Sequence, residues 1–378
     1  MILHITNDYS GSTVYKNLVR ELDNNGVEQI VYNPFREASR IGKNKINFKN
    51  NRSQIIYSHI LSKYADRVLY KRKIKKIVQD IEAKIDLKTV KFIHAHTWYS
   101  DGGAAYELHK KYNIPYIVAV RNTDLNVFLK YFLHERGYGK KILQNANKII
   151  TISAVYKKRM LEDSRLSHIL ENVQQKLTVV PNGVDPYWIE SKVVKKKTAV
   201  DEKKSIQLLY IGKFNKGKNV FNLINAVKNH NRKIQNKIKL TLIGGGGNDE
   251  KRILDSIKND PSFEFVGKVD SLPVLKSYYE RSDFFTMPSK AETFGLVYIE
   301  ALLQGLPVMY TQNEGIDGFY DDSIGEKVED TSVASIERAL ERLIQKRDHY
   351  SFDMEQLLEN HDWKRIAEVY QQLYTEKK

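Results

Sequence analysis

Short apolar runs alternate with longer segments of helical periodicity along the whole 378-residue chain, and this alternation constrains the fold more than any other feature. It is typical of parallel β-strands that are joined by helices. Such strands are buried on both faces, so they read as continuous apolar runs. The predicted strands are residues 2–5, 29–32, 92–95, 116–120, 148–152, 177–180, 206–211, 240–243, 263–266, 284–287 and 307–310. We therefore predict an α/β fold.

The strand pattern restarts once, after the turn-rich segment PNGVDPYW at residues 181–188 and the polar, lysine-rich residues 191–205. A chain of this length exceeds one ordinary core. We expect two doubly wound parallel-sheet domains, residues 1–185 and 186–359, with a C-terminal helix in residues 360–378 that packs back on the first domain. Ligands of open parallel sheets bind beyond the carboxyl ends of the strands. The loops there, and a cleft between the domains, are the expected site.

Positive charge is concentrated in the first half of the chain. Residues 1–185 hold 31 Lys and Arg against 17 Asp and Glu, a net charge of +14, whereas the remainder holds 30 against 29, or +1. The first domain is therefore expected to meet an anionic partner. The densest run comprises Arg67, Lys71, Arg72, Lys73, Lys75 and Lys76, on a helix expected to begin at Val68. Two interpretations have equal weight: an interfacial helix on an anionic membrane, or a packed helix with a solvated basic face.

Several features bear on the compartment. The chain contains no cysteine, which excludes disulfides and thiolate chemistry. No apolar run approaches the roughly 20 residues of a spanning helix, and the N-terminal MILHIT lacks the basic flank and cleavage site of a secretory signal. We expect a cytoplasmic protein, with peripheral attachment to the inner face of the membrane as the open alternative.

Three loops after strands of the second domain suit a nucleotide diphosphate. Gly212 ends one strand and Lys213 and Lys218 follow it, so the backbone can approach phosphates that the ammonium groups neutralise. Glycines 244–247 follow the next strand and predict, with equal weight, a tight turn or a ligand loop. Val269 lies after a third strand, where contacts to the base are expected.

The segment PSKAETFGLVYIEALLQGLPV, residues 288–308, places a glutamate at either end of an apolar stretch. Gly295 and Leu296 are expected to open a helix, whose free N–H groups form a natural phosphate site. Glu292 precedes this helix, and Glu300 lies roughly 6 Å along its axis from Leu296. Both carboxylates can then accept hydrogen bonds from sugar hydroxyls. The simpler alternative is an amphipathic helix whose acids face water.

The same segment resembles the signature of the family 4 retaining glycosyltransferases, which carry two glutamates separated by seven residues. The matching positions are Pro288, Ser289, Glu292, Phe294, Gly295, Glu300, Ala301, Gly305, Pro307 and Val308. Further matches are VVPNGVD at 179–185, HAH at 94–96, ANKIITIS at 146–153 and the lysines of GKFNKGK at 212–218. The resemblance covers most of the chain. It implies the GT-B architecture, in which two Rossmann-like domains face a central cleft.

The resemblance also implies residue roles, with Glu300 on the ribose, Glu292 on the donor sugar and the two lysines on the diphosphate. The residues assigned to catalysis are Glu292, Lys213, Lys218 and Arg121. Those assigned to donor binding are Gly11, Ser12, Gly212, Gly244, Gly245, Val269, Phe294, Gly295, Leu296 and Glu300. No metal ligand is expected, and His94 and His96 are expected to face opposite ways.

Three positions depart from the family pattern. Lys213 stands where arginine is usual, which replaces a bidentate fork by a point charge. Ser12 stands where a second glycine is more common. Arg121 lies near the position of a histidine that faces the reacting sugar. Its possible partners are a donor phosphate, an acceptor phosphate and Asp124.

The expected activity is the retaining, metal-independent transfer of a hexose or N-acetylhexosamine from a nucleotide-diphosphate sugar. A UDP-sugar is favoured over a GDP-sugar, the acceptor is a hydroxyl of a lipid-linked or cell-surface glycan precursor, and no cofactor is required. A nucleotide-sugar epimerase of the same architecture is one alternative, which would release a changed sugar nucleotide without an acceptor. A nucleic-acid-binding protein is another, but no recognition motif supports it.

Overall fold

The computed structural model describes residues 1–193, 205–234 and 237–375, with the backbone alone at Arg67. Most of the predicted lysine-rich linker, residues 194–204, therefore lies outside the described residues. The described chain forms two compact units. The first comprises Met1–Ile152, Tyr156–Gly183 and the segment that begins at Trp363, and the second comprises Ser153–Val155 and Val184–Asp362.

A seven-stranded parallel sheet forms the centre of the first unit. Its strands are β1 (Ile2–Ile5), β2 (Gln29–Pro34), β3 (Gln54–Ser58), β4 (Phe92–Ala95), β5 (Tyr116–Val120), β6 (Lys148–Thr151) and β7 (Leu177–Val179). The spatial order is β3-β2-β1-β4-β5-β6-β7. The chain thus builds outward from β1 in one direction and from β4 in the other. The topological switch point, where ligands of such sheets bind, lies between β1 and β4.

Helices cover both faces of this sheet. They are α1 (Thr13–Asn24), α2 (Ala65–Val68), α3 (Tyr70–Lys84), α4 (Gly102–Tyr112), α5 (Leu129–Tyr131), α6 (Arg136–Asn145), α7 (Ala154–Glu162) and α8 (Leu170–Lys176). A π-helical turn at Asp124–Phe128 precedes α5. Ser12 caps α1, since its Oγ accepts a hydrogen bond from the backbone N–H of Val14 at 3.3 Å.

The basic helix expected to begin at Val68 is divided, because α2 ends there and α3 begins at Tyr70. The apolar stripe of α3 is part of the core: Ile74, Ile77 and Ile81 are all buried. This stripe is therefore not available to a membrane, which favours the packed-helix interpretation, and the membrane attachment expected of the basic residues stays a prediction. The basic residues divide as well: Lys71, Arg72 and Lys75 are exposed, Lys76 pairs with Asp66 at 3.0 Å, and Lys73 is buried.

The second unit repeats the same architecture around a six-stranded parallel sheet. Its strands are β8 (Ile206–Gly212), β9 (Ile238–Gly244), β10 (Phe263–Gly267), β11 (Phe284–Thr286), β12 (Val308–Thr311) and β13 (Gly325–Val328), in the order β10-β9-β8-β11-β12-β13. Its helices are α9 (Pro186–Glu190), α10 (Val220–Lys233), α11 (Glu250–Ile257), α12 (Leu272–Glu280), α13 (Leu296–Leu303), α14 (Val333–Gln345) and α15 (Met354–His361). The switch point lies between β8 and β11. The predicted fold of two doubly wound parallel sheets is confirmed.

The last described helix, α16 (Trp363–Thr375), lies in the first unit and packs against α1. Its buried residues Trp363, Ile366 and Tyr370 join an apolar cluster with Leu18 and Leu22 of α1. None of the described helices has the length and apolar character needed to cross a lipid bilayer.

Candidate active site

The loops that follow β8 and β11 meet at the switch point of the second sheet. The backbone N–H of Lys290 donates to the carbonyl of Gly217 at 2.8 Å, which joins the two loops. Lys218, from the first loop, forms an ion pair with Glu292, from the second, and only 23% and 11% of these side chains is exposed. The structure thus brings together two of the predicted site residues, 74 positions apart in the sequence.

Backbone hydrogen bonds hold Glu292 in place. Its own N–H donates to Glu314 Oε2 at 2.8 Å, and its carbonyl accepts from Gly315 N at 3.0 Å. The carboxylate also accepts from the N–H of Thr293 at 3.0 Å. Sequence reasoning missed Glu314, although its position just beyond β12 places it at the same edge of the sheet as Glu292.

The N-terminus of α13 lies directly after Glu292. Gly295, the residue before the helix, has φ of +82°, and a Cβ there would lie 2.7 Å from the ring of Tyr298, so only glycine fits without strain. Among the described residues no side chain caps this helix. The N–H groups of its first turn, beginning at Leu296, therefore carry partial positive charge that suits an anion. The ring of Phe294 instead has a packing role, since the residue is 2% exposed and contacts Phe319 and His361.

Glu300 lies one turn further along α13. Its Oε2 accepts a hydrogen bond from the hydroxyl of Tyr279 on α12 at 3.0 Å. The residue is partly exposed, but enough protein surrounds the carboxyl group that burial raises its pKa to about 7. The hydrogen bond from Tyr279 opposes this rise, and the negative charge of Asp185 adds to it. No sequence motif marks Tyr279, which sequence reasoning also missed.

The glycine run after β9 forms a tight turn against the β8 loop. Gly244 is paired with Gly212 in the sheet and has φ of +121°, and a Cβ there would lie 2.0 Å from the Gly212 carbonyl oxygen. The carbonyl of Gly246 accepts from Phe214 N at 3.1 Å, while Gly245 N donates to the Gly212 carbonyl at 3.3 Å. Because residues 244–247 are all glycine, this turn exposes its backbone, and it lies beside Gly212 and Phe214 of the loop that leads to Lys218.

Two other predicted residues of this unit make few contacts. The ammonium of Lys213 is exposed and has no hydrogen bond or ion pair within the described part of the chain, whereas the Lys213 carbonyl accepts from Tyr210 at 3.0 Å. Val269 is half-buried just beyond β10. Their roles in donor binding remain predictions.

Gly11, Ser12 and Arg121 lie in the first unit. A Cβ on Gly11 would lie 2.2 Å from Asp8 Oδ1, so the Asp8 side chain would have to move for any larger residue there. Arg121 follows β5, and its Nε donates to the His96 carbonyl at 3.2 Å. Asp124 accepts the backbone N–H of Arg121 at 2.8 Å, so the contact between these residues is not an ion pair of side chains.

The expectation that His94 and His96 face opposite ways is wrong. Their rings stack with centroids 3.8 Å apart, because residues i and i+2 of a strand share a face. His4 Nδ1 lies 3.0 Å from His96 Nε2, and the Tyr374 hydroxyl lies 2.8 Å from His94 Nδ1. Among the described residues these three histidines alone form a cluster with the composition of a metal site. Burial lowers the pKa of each ring, so the cluster is neutral, and a hydrogen bond occupies a nitrogen of every ring.

Comparison with protein families accounts for both units. Residues 11–188 match the model described as Glycosyltransferase Family 4, and residues 191–366 match the model described as Glycosyl transferases group 1. An uncharacterized glycosyltransferase of Methanocaldococcus jannaschii is 28% identical over 249 residues, 64% of this chain and 63% of that protein. The alpha-monoglucosyldiacylglycerol synthase of Acholeplasma laidlawii is 24% identical over 275 residues, 67% of this chain and 64% of that protein. The chain thus spans slightly less than two thirds of the length of these curated relatives.

Solved structures show the same fold at low identity. A sucrose-phosphate synthase from Thermosynechococcus elongatus superposes with a TM-score of 0.73 at 19% identity, over 99% of this chain and 98% of that one. The Anabaena protein HepE, in complex with UDP and glucose, superposes with a TM-score of 0.62 at 13% identity, over 99% of each chain. Two family models together account for most of the chain, and the neighbours share its two-sheet fold. The chain therefore belongs to the group 1, family 4 type of glycosyltransferases.

Proposed function

We propose that the protein is a retaining glycosyltransferase that uses a UDP-sugar as donor, and that the switch point of the second sheet binds this donor. The observation that carries the proposal is the ion pair of Lys218 with Glu292 beside the uncapped N-terminus of α13. A positive side chain, free backbone N–H groups and a carboxylate thus lie together. A nucleotide-diphosphate sugar requires these groups: positive charge for the phosphates and an acceptor for sugar hydroxyls.

Each group has a separate task in this proposal. Lys218 and the first turn of α13, with Lys213 reaching in from its exposed position, neutralise the diphosphate. Glu292 positions the transferred hexose or N-acetylhexosamine. Glu300, which is hydrogen-bonded to Tyr279, accepts hydrogen bonds from the ribose hydroxyls. The charge on the leaving group is then stabilised by side chains and backbone without the need for a metal or cofactor.

The proposed reaction has retention of configuration at the anomeric carbon. The bond between that carbon and the diphosphate oxygen breaks, and its electron pair stays on the diphosphate. The acceptor hydroxyl oxygen bonds to the carbon on the same face, and its proton passes to the departing diphosphate oxygen. The positive groups around the diphosphate stabilise the charge that develops there. Glu292 is not required as a covalent nucleophile.

The donor and acceptor classes are supported by the relatives. UDP and glucose are the ligands of the Anabaena neighbour, which favours a UDP-sugar here. The name of the Acholeplasma relative indicates a glucosylated diacylglycerol product, which favours a lipid-linked hydroxyl acceptor. The exposed basic residues Lys71, Arg72 and Lys75 of α3 are suited to an anionic membrane surface at which such an acceptor would be found.

Glu292→Gln tests the donor site. Turnover of UDP-sugars is expected to fall at least a hundredfold, while the affinity for UDP stays within about threefold of wild type, because the sugar and not the nucleotide contacts this residue. Glu280→Gln, an exposed change on α12, is the matched control. Turnover that Glu292→Gln leaves unchanged would refute the assignment. Release of an epimerised UDP-sugar without an acceptor would favour an epimerase instead.

A further inference from the structure

Glu314 lies in the loop beyond β12, residues 312–318, and is not among the residues that the family resemblance assigns to the donor. Its Oε2 accepts the backbone N–H of Glu292 at 2.8 Å, and the next residue, Gly315, donates its own N–H to the Glu292 carbonyl at 3.0 Å. Both backbone groups of Glu292 are therefore bonded to two consecutive residues of a second loop. The two loops meet because β11 and β12 are neighbours in the sheet.

The loop beyond β12 is itself held in place by backbone hydrogen bonds. At its start, Gln312 N donates to the carbonyl of Val328 on β13 at 2.9 Å. Glu314 N then donates to the Thr311 carbonyl at 3.1 Å, and the Glu314 carbonyl accepts from Asp317 N at 3.1 Å. The backbone of Glu314 thus has a fixed position, from which its side chain reaches towards Glu292. An acceptor on such a support is in place before a ligand binds.

Gly315 brings the two loops into close contact. Its φ is +58°, and a Cβ there would lie 2.9 Å from the Phe294 carbonyl oxygen and 3.0 Å from Glu292 Cγ. Any larger residue would therefore press on the backbone and the side chain of the segment that carries Glu292. The loop beyond β12 thus determines where Glu292 lies, both by hydrogen bonds and by direct packing.

The direction of the Glu292 carboxylate depends on this backbone position. One carboxylate oxygen accepts the N–H of Thr293 at 3.0 Å, and the other pairs with Lys218. Groups that act on a substrate have to be held within about 0.5 Å of their productive geometry, and a misplacement of about 1 Å can lower a rate roughly a hundredfold. A shift of the Glu292 backbone would therefore reduce turnover even if the carboxylate itself were intact.

We propose that Glu314 is a positioning residue for sugar transfer: its carboxylate holds the backbone of Glu292, and so aims the Glu292 carboxylate at the donor sugar. The inference rests on the proposed function, because it adds the loop beyond β12 to the same donor site. Glu314 acts through Glu292 rather than on the donor. The role requires a side chain long enough to reach the N–H and an oxygen that accepts it, while the negative charge only strengthens the bond.

Three substitutions of Glu314 separate these requirements. Glu314→Ala removes the acceptor, Glu314→Asp keeps the charge but shortens the side chain, and Glu314→Gln keeps the length and an oxygen. The first two are expected to lower kcat for UDP-sugars about tenfold or more, and the third to stay within about threefold of wild type. Calorimetric affinity for UDP should stay within about threefold for all three. Gln312→Ala, an exposed change in the same loop, is the control. If Glu314→Ala does not fold, Glu314→Asp carries the test.

A double variant shows whether Glu314 acts through Glu292. When Glu292→Gln and Glu314→Ala are combined, turnover should be no lower than in Glu292→Gln alone, because two residues that act as one unit do not have additive effects. A further loss of about tenfold in the double variant would mean that Glu314 acts independently of Glu292. That result would overturn the positioning role.

Amide hydrogen exchange of the ligand-free protein tests the contact without a substrate. Glu314→Ala should speed exchange in peptides that contain Glu292 about tenfold or more, whereas Glu314→Gln and Gln312→Ala should leave it near that of wild type. Exchange or turnover that Glu314→Ala leaves unchanged would overturn the inference even if UDP-sugars are turned over. Faster exchange in a protein that transfers no sugar would support the contact while contradicting the proposed function.

Discussion

Glu300→Gln is expected to make the ligand-free protein more stable above pH 7 and to weaken donor binding. The carboxyl group of Glu300 lies on α13 in surroundings that raise its pKa from 4.5 to about 7. In the wild-type protein the Tyr279 hydroxyl lies 3.0 Å from Glu300 Oε2. Glutamine has nearly the same shape as glutamate, and its side-chain oxygen can still accept this hydrogen bond. The substitution therefore removes the charge with little change in packing.

The magnitude follows from the difference between the two pKa values. Below pH 4.5 the carboxyl group is protonated in both the folded and the unfolded chain, so its ionisation has no effect on stability. Between pH 4.5 and about 7 the unfolded chain has ionised this group while the folded chain still holds its proton, so the free energy of unfolding declines over this range and is level above it. The difference of 7 − 4.5 = 2.5 units corresponds to about 3 kcal/mol. The Glu300→Gln variant has no ionisable group at this position, so its free energy of unfolding shows no such decline.

Differential scanning calorimetry at pH 5 and pH 8 measures this effect. For a unit of this size, about 3 kcal/mol corresponds to roughly 6–12 °C in Tm, so Glu300→Gln should unfold at a clearly higher temperature than wild type at pH 8 and much closer to it at pH 5. The exposed variant Glu280→Gln should show no such pH-dependent difference. Affinity for UDP should fall about tenfold or more, as a hydrogen bond to a charged group is lost. An equal Tm difference at both pH values would refute the reasoning.

Three further changes test the second and first units. Gly244→Ala should lower Tm by several degrees in a thermal-shift assay, because its Cβ would lie 2.0 Å from the Gly212 carbonyl oxygen. Gly246→Ala is the control and should lower Tm less, because a Cβ there meets nothing within 4 Å. An equal decrease in Tm for the two variants would contradict this geometry. Tyr279→Phe removes the hydrogen bond that opposes the raised pKa of Glu300, so the pH dependence of UDP affinity should move to higher pH, and an unchanged profile would count against that bond. Trp363→Ala should cost about 3–5 kcal/mol in urea unfolding of the first unit, since it leaves a cavity between α16 and the sheet; a loss below about 1 kcal/mol would argue against this packing.

The central strands are predictable because they are buried on both faces. Residues Tyr116–Val120, YIVAV, are all buried and form a continuous apolar run that a single sequence reveals. The two strands that the sequence does not predict, β3 and β13, lie at sheet edges. Their sequences, QIIYS and GEKV, mix polar with apolar residues and so lack a continuous apolar run. Only one position of β3 is buried, whereas β13 is mostly buried but contains Gly325 and the charged residues Glu326 and Lys327.

The sequence names candidate members of the site, whose roles in donor binding stay predictions, but it does not reveal which of them contact one another. Resemblance to a family assigns Lys218, Glu292 and Glu300 to one donor, but no sequence pattern identifies Tyr279 as the partner of Glu300. The burial of Lys73, by contrast, could have been predicted from the helical periodicity of the sequence. This residue lies on the side of α3 that also holds Tyr70, Ile74 and Ile77, so the 3.6-residue repeat places it among buried residues rather than on the solvated basic face.

The sequence by itself determined the two parallel sheets and the family, because burial on both faces and the order of the motifs are properties of the chain read along its length. Only the tertiary structure decided which side chains meet. Lys218 contacts Glu292 across 74 positions because β8 and β11 are neighbours in the sheet. Lys73 reaches a cavity rather than solvent because α3 packs its buried side beside the loop after β4. Such contacts depend on strand order and helix packing, which bring together residues that the sequence keeps far apart.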